Sequence, residues 1–269
     1  EVAAIMTGSY IGGGVNFFAV KQSYDVSENV TGPLLVADNF IMAGMFVTLL
    51  LICGSRWARR WYPHPHTADA VDSRKLAAEH WRAKEISLLD IAAALAIAVA
   101  VVALAQWSSS WTAHALGDST FGQIAGNRFV HITAWSTLLA TTCAPVLSRI
   151  RGADEIGGYL LYVFLFVIGL PADLKQVVMQ VPLLFVFCLI MALVNLLVTF
   201  AVGKLLRLNL EHVALAVNAS LGGPTSAAAM AIAMGWSNLV LPALLVGIWG
   251  YTIGTAVGLA VGEMLRAWL

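Results

Sequence analysis

Runs of about twenty apolar residues recur along this chain with only short polar turns between them, and that pattern leaves few folds open. Full-length runs cover residues 33–53, 88–107, 129–147, 156–172, 181–203 and 239–261. Two further apolar segments, 2–20 and 213–234, are interrupted by glycine. A helix of about 20 apolar residues crosses the roughly 30 Å hydrocarbon core of a bilayer. Composition closes off the soluble alternative: 59% of the 269 residues are hydrophobic and 11% charged, with mean hydropathy +0.82. A soluble domain carries about 25% charged residues, and one of this length has no core large enough for so much apolar surface. The expected fold is all-α, a polytopic transmembrane helical bundle. The lipid bilayer is its first partner, and a net charge of zero offers no field for nucleic acid.

Basic residues set an expected orientation. The segment after Cys53 holds Arg56, Arg59, Arg60, Arg74, Lys75, Arg82 and Lys84, whereas most other turns hold one basic residue or none. Counted over alternate turns, with 2–20 and 213–234 taken as crossings, twelve fall on one side and three on the other. The rich side is cytoplasmic by the positive-inside rule. This makes the chain a multi-pass membrane protein with loop 54–87 and the C-terminus expected on the cytoplasmic side.

The chain also matches itself at an offset of 210 residues. Glu1 meets Glu211, Gly12 and Gly13 meet Gly222 and Gly223, Gly44 meets Gly254 and Arg56 meets Arg266, with about 14 of the first 59 positions identical. A duplicated architecture follows. It divides the chain into 1–60, the later part of a first repeat; 61–87, a polar loop; and 88–269, a second repeat. Because four runs precede Glu211 within its own repeat and none precedes Glu1, about 120 residues with comparable spans are expected upstream.

The two interrupted segments fall at equivalent places in the repeats. Gly12, Gly13 and Gly14 in one, and Gly222, Gly223 and Pro224 in the other, break the helical hydrogen-bond ladder in mid-span. Backbone groups freed there cannot face lipid and are tolerated where they line a cavity. A matched pair of such segments points to a transporter site. The plainer reading is that the glycines only allow close helix packing. Two segments in register, each flanked by polar side chains, favour the functional reading. Ser9, Asn16, Asn218, Ser220, Thr225 and Ser226 are the side chains expected near the cavity.

Asp38 and Asn39 stand inside the run beginning at Pro33. An intramembrane carboxylate normally faces a cavity, a partner or an ion, and Asp38 there is suited to exchanging H⁺ for Na⁺. An interfacial Asp reaching water is the competing reading. The repeat equivalents are Ile248 and Trp249, so this site is asymmetric. Asp90, Glu263, Asp173 and Lys175 are expected at helix ends and turns, and His64 and His66 in a solvated loop. Cys53, Cys143 and Cys188 all fall in apolar runs and are expected to be packing residues.

Residues 7–16, 162–173, 218–231 and 250–254 resemble the YjcL-like family of bacterial integral membrane proteins (DUF819), a family of unknown function. It is grouped with the cation/proton antiporters and bile-acid symporter-like proteins. The resemblance implies two helical repeats whose broken helices cross near the bilayer centre, with an acidic pair after the first break where Asp38 and Asn39 stand here. Repeats in that superfamily are generally inverted, which needs an odd number of crossings between equivalent points. The runs above give an even number, so either the repeats are parallel or one run, 129–147 foremost, does not fully cross.

The function expected is that of a secondary transporter moving a small solute or ion, coupled to Na⁺ or H⁺ through Asp38, Asn39 and the broken helices. No other cofactor, no metal and no catalytic residue is expected, and the chain is not expected to be an enzyme. A membrane scaffold or channel is the alternative, and an intramembrane enzyme a more distant one. Homo-oligomer formation is compatible with this reading.

Overall fold

A computed structural model describes residues 1–65, 85–117, 119–169 and 182–268. His66, Asp173, Lys175 and most of loop 61–87 lie outside the described residues, as does the end of the run 156–172. Four described helices are long and apolar enough to cross a membrane: α3 (Glu28–Gly54), α5 (Leu88–Leu116), α10 (Pro182–Leu205) and α12 (Val240–Trp268). Each covers more than about 30 Å at 1.5 Å per residue. The other helices are α1 (Val2–Gly12), α2 (Gly14–Ser23), α4 (Arg56–Trp61), α6 (Thr120–Ala125), α7 (Arg128–Thr142), α8 (Ala144–Leu147), α9 (Ala153–Gly169) and α11 (Leu210–Ala233). No strand occurs among the described residues.

The chain forms two compact units, one of Glu1–Trp81 with Pro171–Gly258, the other of Arg82–Leu170 with Leu259–Leu269. In the second unit, α5 starts on a capping box: the Ser87 hydroxyl accepts from the Asp90 amide at 3.1 Å and Asp90 accepts from the Ser87 amide at 2.9 Å. Asp90 thus sits at a helix end, as expected. The run 129–147 is helical in two pieces, α7 and α8, divided at Cys143. His131 of α7 is hydrogen-bonded to Ser108 of α5 at 2.8 Å, and the Trp135 indole donates to the same hydroxyl at 2.9 Å.

The first unit departs from the expected series of crossings. Helices α1 and α2 fold back on each other about Gly13, whose φ of 93° reverses the chain. A Cβ placed on Gly8 would lie 3.0 Å from the Val20 side chain and 3.4 Å from the Asn16 carbonyl oxygen. Residues eight apart in a continuous helix are about 12 Å apart, so this is a re-entrant hairpin that leaves on the side it entered. Helix α11 does the same about Gly223, at φ 74°. The Asn218 amide donates to the Ser226 carbonyl at 3.0 Å, and the Ser226 hydroxyl donates back to the Asn218 side chain at 2.8 Å. Segments 2–20 and 213–234 are therefore not crossings. Glycine is the physical reason, since positive φ at both positions would strain any residue with a side chain. Without 2–20, the apolar runs between Glu1 and Glu211 are five, an odd number: 33–53, 88–107, 129–147, 156–172 and 181–203.

Helix α3 leaves the base of the first hairpin and ends with Cys53 beside Glu211, at the base of the second. Helix α12 runs the other way, from the turn after Ala233 to Gly258, where a Cβ would meet the Ala4 carbonyl oxygen at 2.9 Å. The hairpins thus enter this unit from opposite ends. Gly258 of α12 therefore lies at the end of this unit opposite Gly54. Close approach of α12 to the hairpins uses its small residues: a Cβ on Gly250 would fall 2.3 Å from the Ile11 carbonyl oxygen, and one on Gly247 2.4 Å from Pro224 Cα. Where lipid is as apolar as leucine, such backbone contact is what holds helices together. The core of the unit includes Ile5, Met6, Phe17, Leu34, Val217 and Met230, all fully buried.

Candidate functional site

The two hairpin tips meet. A Cβ on Gly13 would lie 3.2 Å from the Gly223 amide nitrogen and 3.4 Å from the Gly222 carbonyl carbon, so no side chain fits between them. Four helix ends converge here: the C-termini of α1 and of the first arm of α11, and the N-termini of α2 and of the second arm. N-terminal ends carry partial positive charge and C-terminal ends partial negative charge. The junction can therefore hold groups of either sign.

Each tip is bracketed by an amide. The Asn16 side chain donates to the Gly250 carbonyl at 3.1 Å and the Tyr251 carbonyl at 3.4 Å, tying the first tip to α12. Asn218 closes the second tip through Ser226. Asn195 of α10 lies between the hairpins, donating to the Tyr10 carbonyl at 3.5 Å and the Ser220 hydroxyl at 3.2 Å. Tyr10 and Ser220 are themselves 210 positions apart.

Asp38 completes the site. Helix α3 begins at Glu28, with Ser27 in extended backbone just before it, rather than at Pro33. Asp38 therefore stands about ten residues, or roughly 15 Å, into the helix, near half the thickness of the hydrocarbon core. It is 6% exposed and accepts a hydrogen bond from the Ser9 hydroxyl at 2.9 Å through Oδ2. The Tyr10 hydroxyl stands beside it and donates to the Cys188 carbonyl at 3.3 Å. Oδ1 is buried without a hydrogen-bond partner. A buried carboxylate oxygen in that state calls for a proton or a cation.

Ser9, Asp38, Gly12, Gly13, Gly222 and Gly223 are thus gathered at the tips, with Asn16, Asn218, Ser220 and Ser226 bracing them. Asn39 and Thr225 are exposed and stand outside this network; a helix turns each about 100° from its neighbour, so residues adjacent to Asp38 and to Pro224 look outward. Tyr10, Cys188 and Asn195 were not foreseen. Asn195 carried a readable signal, as the lone amide in the apolar run 181–203. Tyr10 and the Cys188 carbonyl carried none, because neither an aromatic nor a backbone group breaks an apolar pattern. Among the described residues no cluster of His, Cys, Asp and Glu could hold a metal. Cys53 and Cys188 are buried and all three cysteines are free.

The family model described as "Protein of unknown function (DUF819)" matches residues 1–268. The Uncharacterized membrane protein YjcL of Bacillus subtilis (strain 168) is 39% identical over 273 residues, covering all of this chain and 69% of that protein. No solved structure matches. With its apolar spans and glycine-tipped hairpins, this chain belongs to the DUF819 family of membrane proteins.

Proposed function

We propose that this protein is a secondary transporter for a small solute or ion, coupled to Na⁺ or H⁺ at Asp38. The observation that carries the reading is the buried, half-satisfied carboxylate of Asp38 beside two glycine-tipped hairpins that meet tip to tip. Equal backbone reversals at Gly13 and Gly223, 210 positions apart, support a duplicated architecture, and hairpins entering from opposite ends support inverted repeats. Irregular backbone at membrane depth is tolerated where it lines a cavity or a path for solute. Thr225 and Asn39 add polar side chains on an open face at that depth, which suits water or substrate better than lipid.

Close packing accounts for Gly247, Gly250 and Gly258, as it would in a scaffold. It does not account for positive φ at Gly13 and Gly223, nor for a carboxylate at Asp38. The basic residues near Gly54 and Leu205 favour the cytoplasmic side of an inner membrane for that end.

The test is thermal stability of the purified protein against NaCl, with choline chloride as control, at several pH values. A cation competing with a proton at one carboxylate stabilises more as pH rises. At a concentration 100-fold above Kd the gain is about 2.7 kcal/mol. Wild type is expected to show this response and Asp38→Asn to lose it. Stabilisation of both proteins alike by Na⁺ would remove Asp38 from the ion site. A wild type stabilised only by acid would make the coupling ion a proton.

A further inference from the structure

Away from the hairpins, the first unit carries an apolar groove of about 290 Å³ where α3 and α10 end, roofed by α4. Its walls include Ile52, Trp57, Trp61, Leu197 and Phe200, with Lys204 among the lining residues. Tyr62 seals one side, its hydroxyl donating to the Phe200 carbonyl and its ring edge-on to Phe200 at 5.7 Å. The Lys204 ammonium donates to the Trp61 carbonyl and lies 5.9 Å from the Trp61 ring centroid and 5.3 Å from that of Tyr62. An ammonium has three donors, so others remain for a further acceptor.

The surroundings are one-sided in charge. Residues 54–65 and 196–212 hold Arg56, Arg59, Arg60, Lys204 and Arg207 against the single carboxylate Glu211, which is buried. Arg56 and Arg60, one turn apart on α4, are exposed beside exposed Trp57 and Trp61. Tryptophan at helix ends belongs at the headgroup level of a bilayer, and basic pockets between helices at that level take anionic headgroups.

We propose that this groove is a binding site for an anionic phospholipid, one acyl chain lying along Phe200 and Leu197 and the phosphate held by Lys204 with Arg56 and Arg60. A soluble anion would have no use for the apolar walls. A zwitterionic lipid would leave the positive rim unmatched. The site is independent of Asp38 and of the transport reading.

The experiment uses delipidated, detergent-purified protein titrated with phosphatidylglycerol, phosphatidylcholine or inorganic phosphate. Melting temperature is one readout; quenching of tryptophan fluorescence by lipids brominated on the acyl chain is the other. Phosphatidylglycerol is expected to raise the melting temperature by several degrees and its brominated form to quench, with phosphatidylcholine and phosphate doing neither. Lys204→Gln or Arg60→Gln is expected to weaken phosphatidylglycerol binding roughly fivefold each. Ala201→Trp, which fills the groove from an exposed position, is expected to abolish the lipid-dependent shift while keeping the lipid-free melting temperature. Should any of these three variants fail to fold, Trp57→Phe and Trp61→Phe locate the quenching, which is expected to fall in both. Equal effects of the two lipids, a response to phosphate alone, or quenching unchanged by these variants would each overturn the proposal.

Discussion

Asp38 and the glycines around it are where single atoms decide the behaviour of this protein. Replacing Gly13 by Ala puts a Cβ 3.2 Å from the Gly223 amide at a φ of 93°, and such strain costs about 1–3 kcal/mol. Gly254→Ala drives a Cβ to 1.8 Å from the Asn16 amide nitrogen, whereas Gly44, 210 positions earlier, has nothing within 4 Å. Thermal unfolding is therefore expected to fall clearly for Gly13→Ala and Gly254→Ala and to stay unchanged or rise slightly for Gly44→Ala. Equal losses at Gly44 and Gly254 would show that the contact with Asn16 carries no weight. Asp38, Ser9 and the tip glycines were legible in the sequence because an acid or a glycine run stands out against lipid-facing residues. Asn39 and Thr225, next in sequence to Asp38 and Pro224, are turned by the phase of their helices onto an exposed face outside the hydrogen-bond network.

Hairpins are the elements that set this fold apart from a plain bundle. Their interruption was legible in Gly12–Gly13 and Gly222–Gly223, but their reversal was not. A glycine break permits a kinked crossing or a full turn, and the choice depends on long-range partners such as Val20 against Gly8 and Asn218 against Ser226. Replacing Asn218 and Ser226 by cysteine in a background free of Cys53, Cys143 and Cys188 tests the turn directly. The pair is expected to form a disulfide under mild oxidation. Residues eight apart in a kinked but continuous helix lie near 12 Å, beyond the reach of a bridge, so failure to cross-link with normal folding would return α11 to a crossing. Asn195→Leu is expected to weaken the link between Tyr10 and Ser220 and to destabilise the protein by about 1 kcal/mol or more, the cost of leaving buried polar partners unmatched.

For the whole molecule, two re-entrant segments change the topology that loop charges alone suggested. The turn around Trp236 and the end at Gly54 belong to the same side, because the second hairpin returns to its own base. Reporter fusions at these two positions are expected to give the same orientation, and opposite signals would restore the crossing count read from the sequence. The all-helical fold and the four long spans were legible because lipid demands about 20 apolar residues per crossing, a requirement that composition cannot hide. The central claim is that the meeting tips form a site reached by water and solute within the membrane. Its most direct test is labelling of Val15→Cys and Thr225→Cys, at exposed positions 210 residues apart beside the tips, by a membrane-impermeant maleimide in oriented vesicles. Leu51→Cys, exposed on an apolar helix face, serves as the lipid-facing control. The account predicts that the tip cysteines react from at least one side, that the Leu51 position does not, and that Na⁺ changes the tip rates only while Asp38 is present. Tips as unreactive as the Leu51 position, in a folded protein, would contradict it.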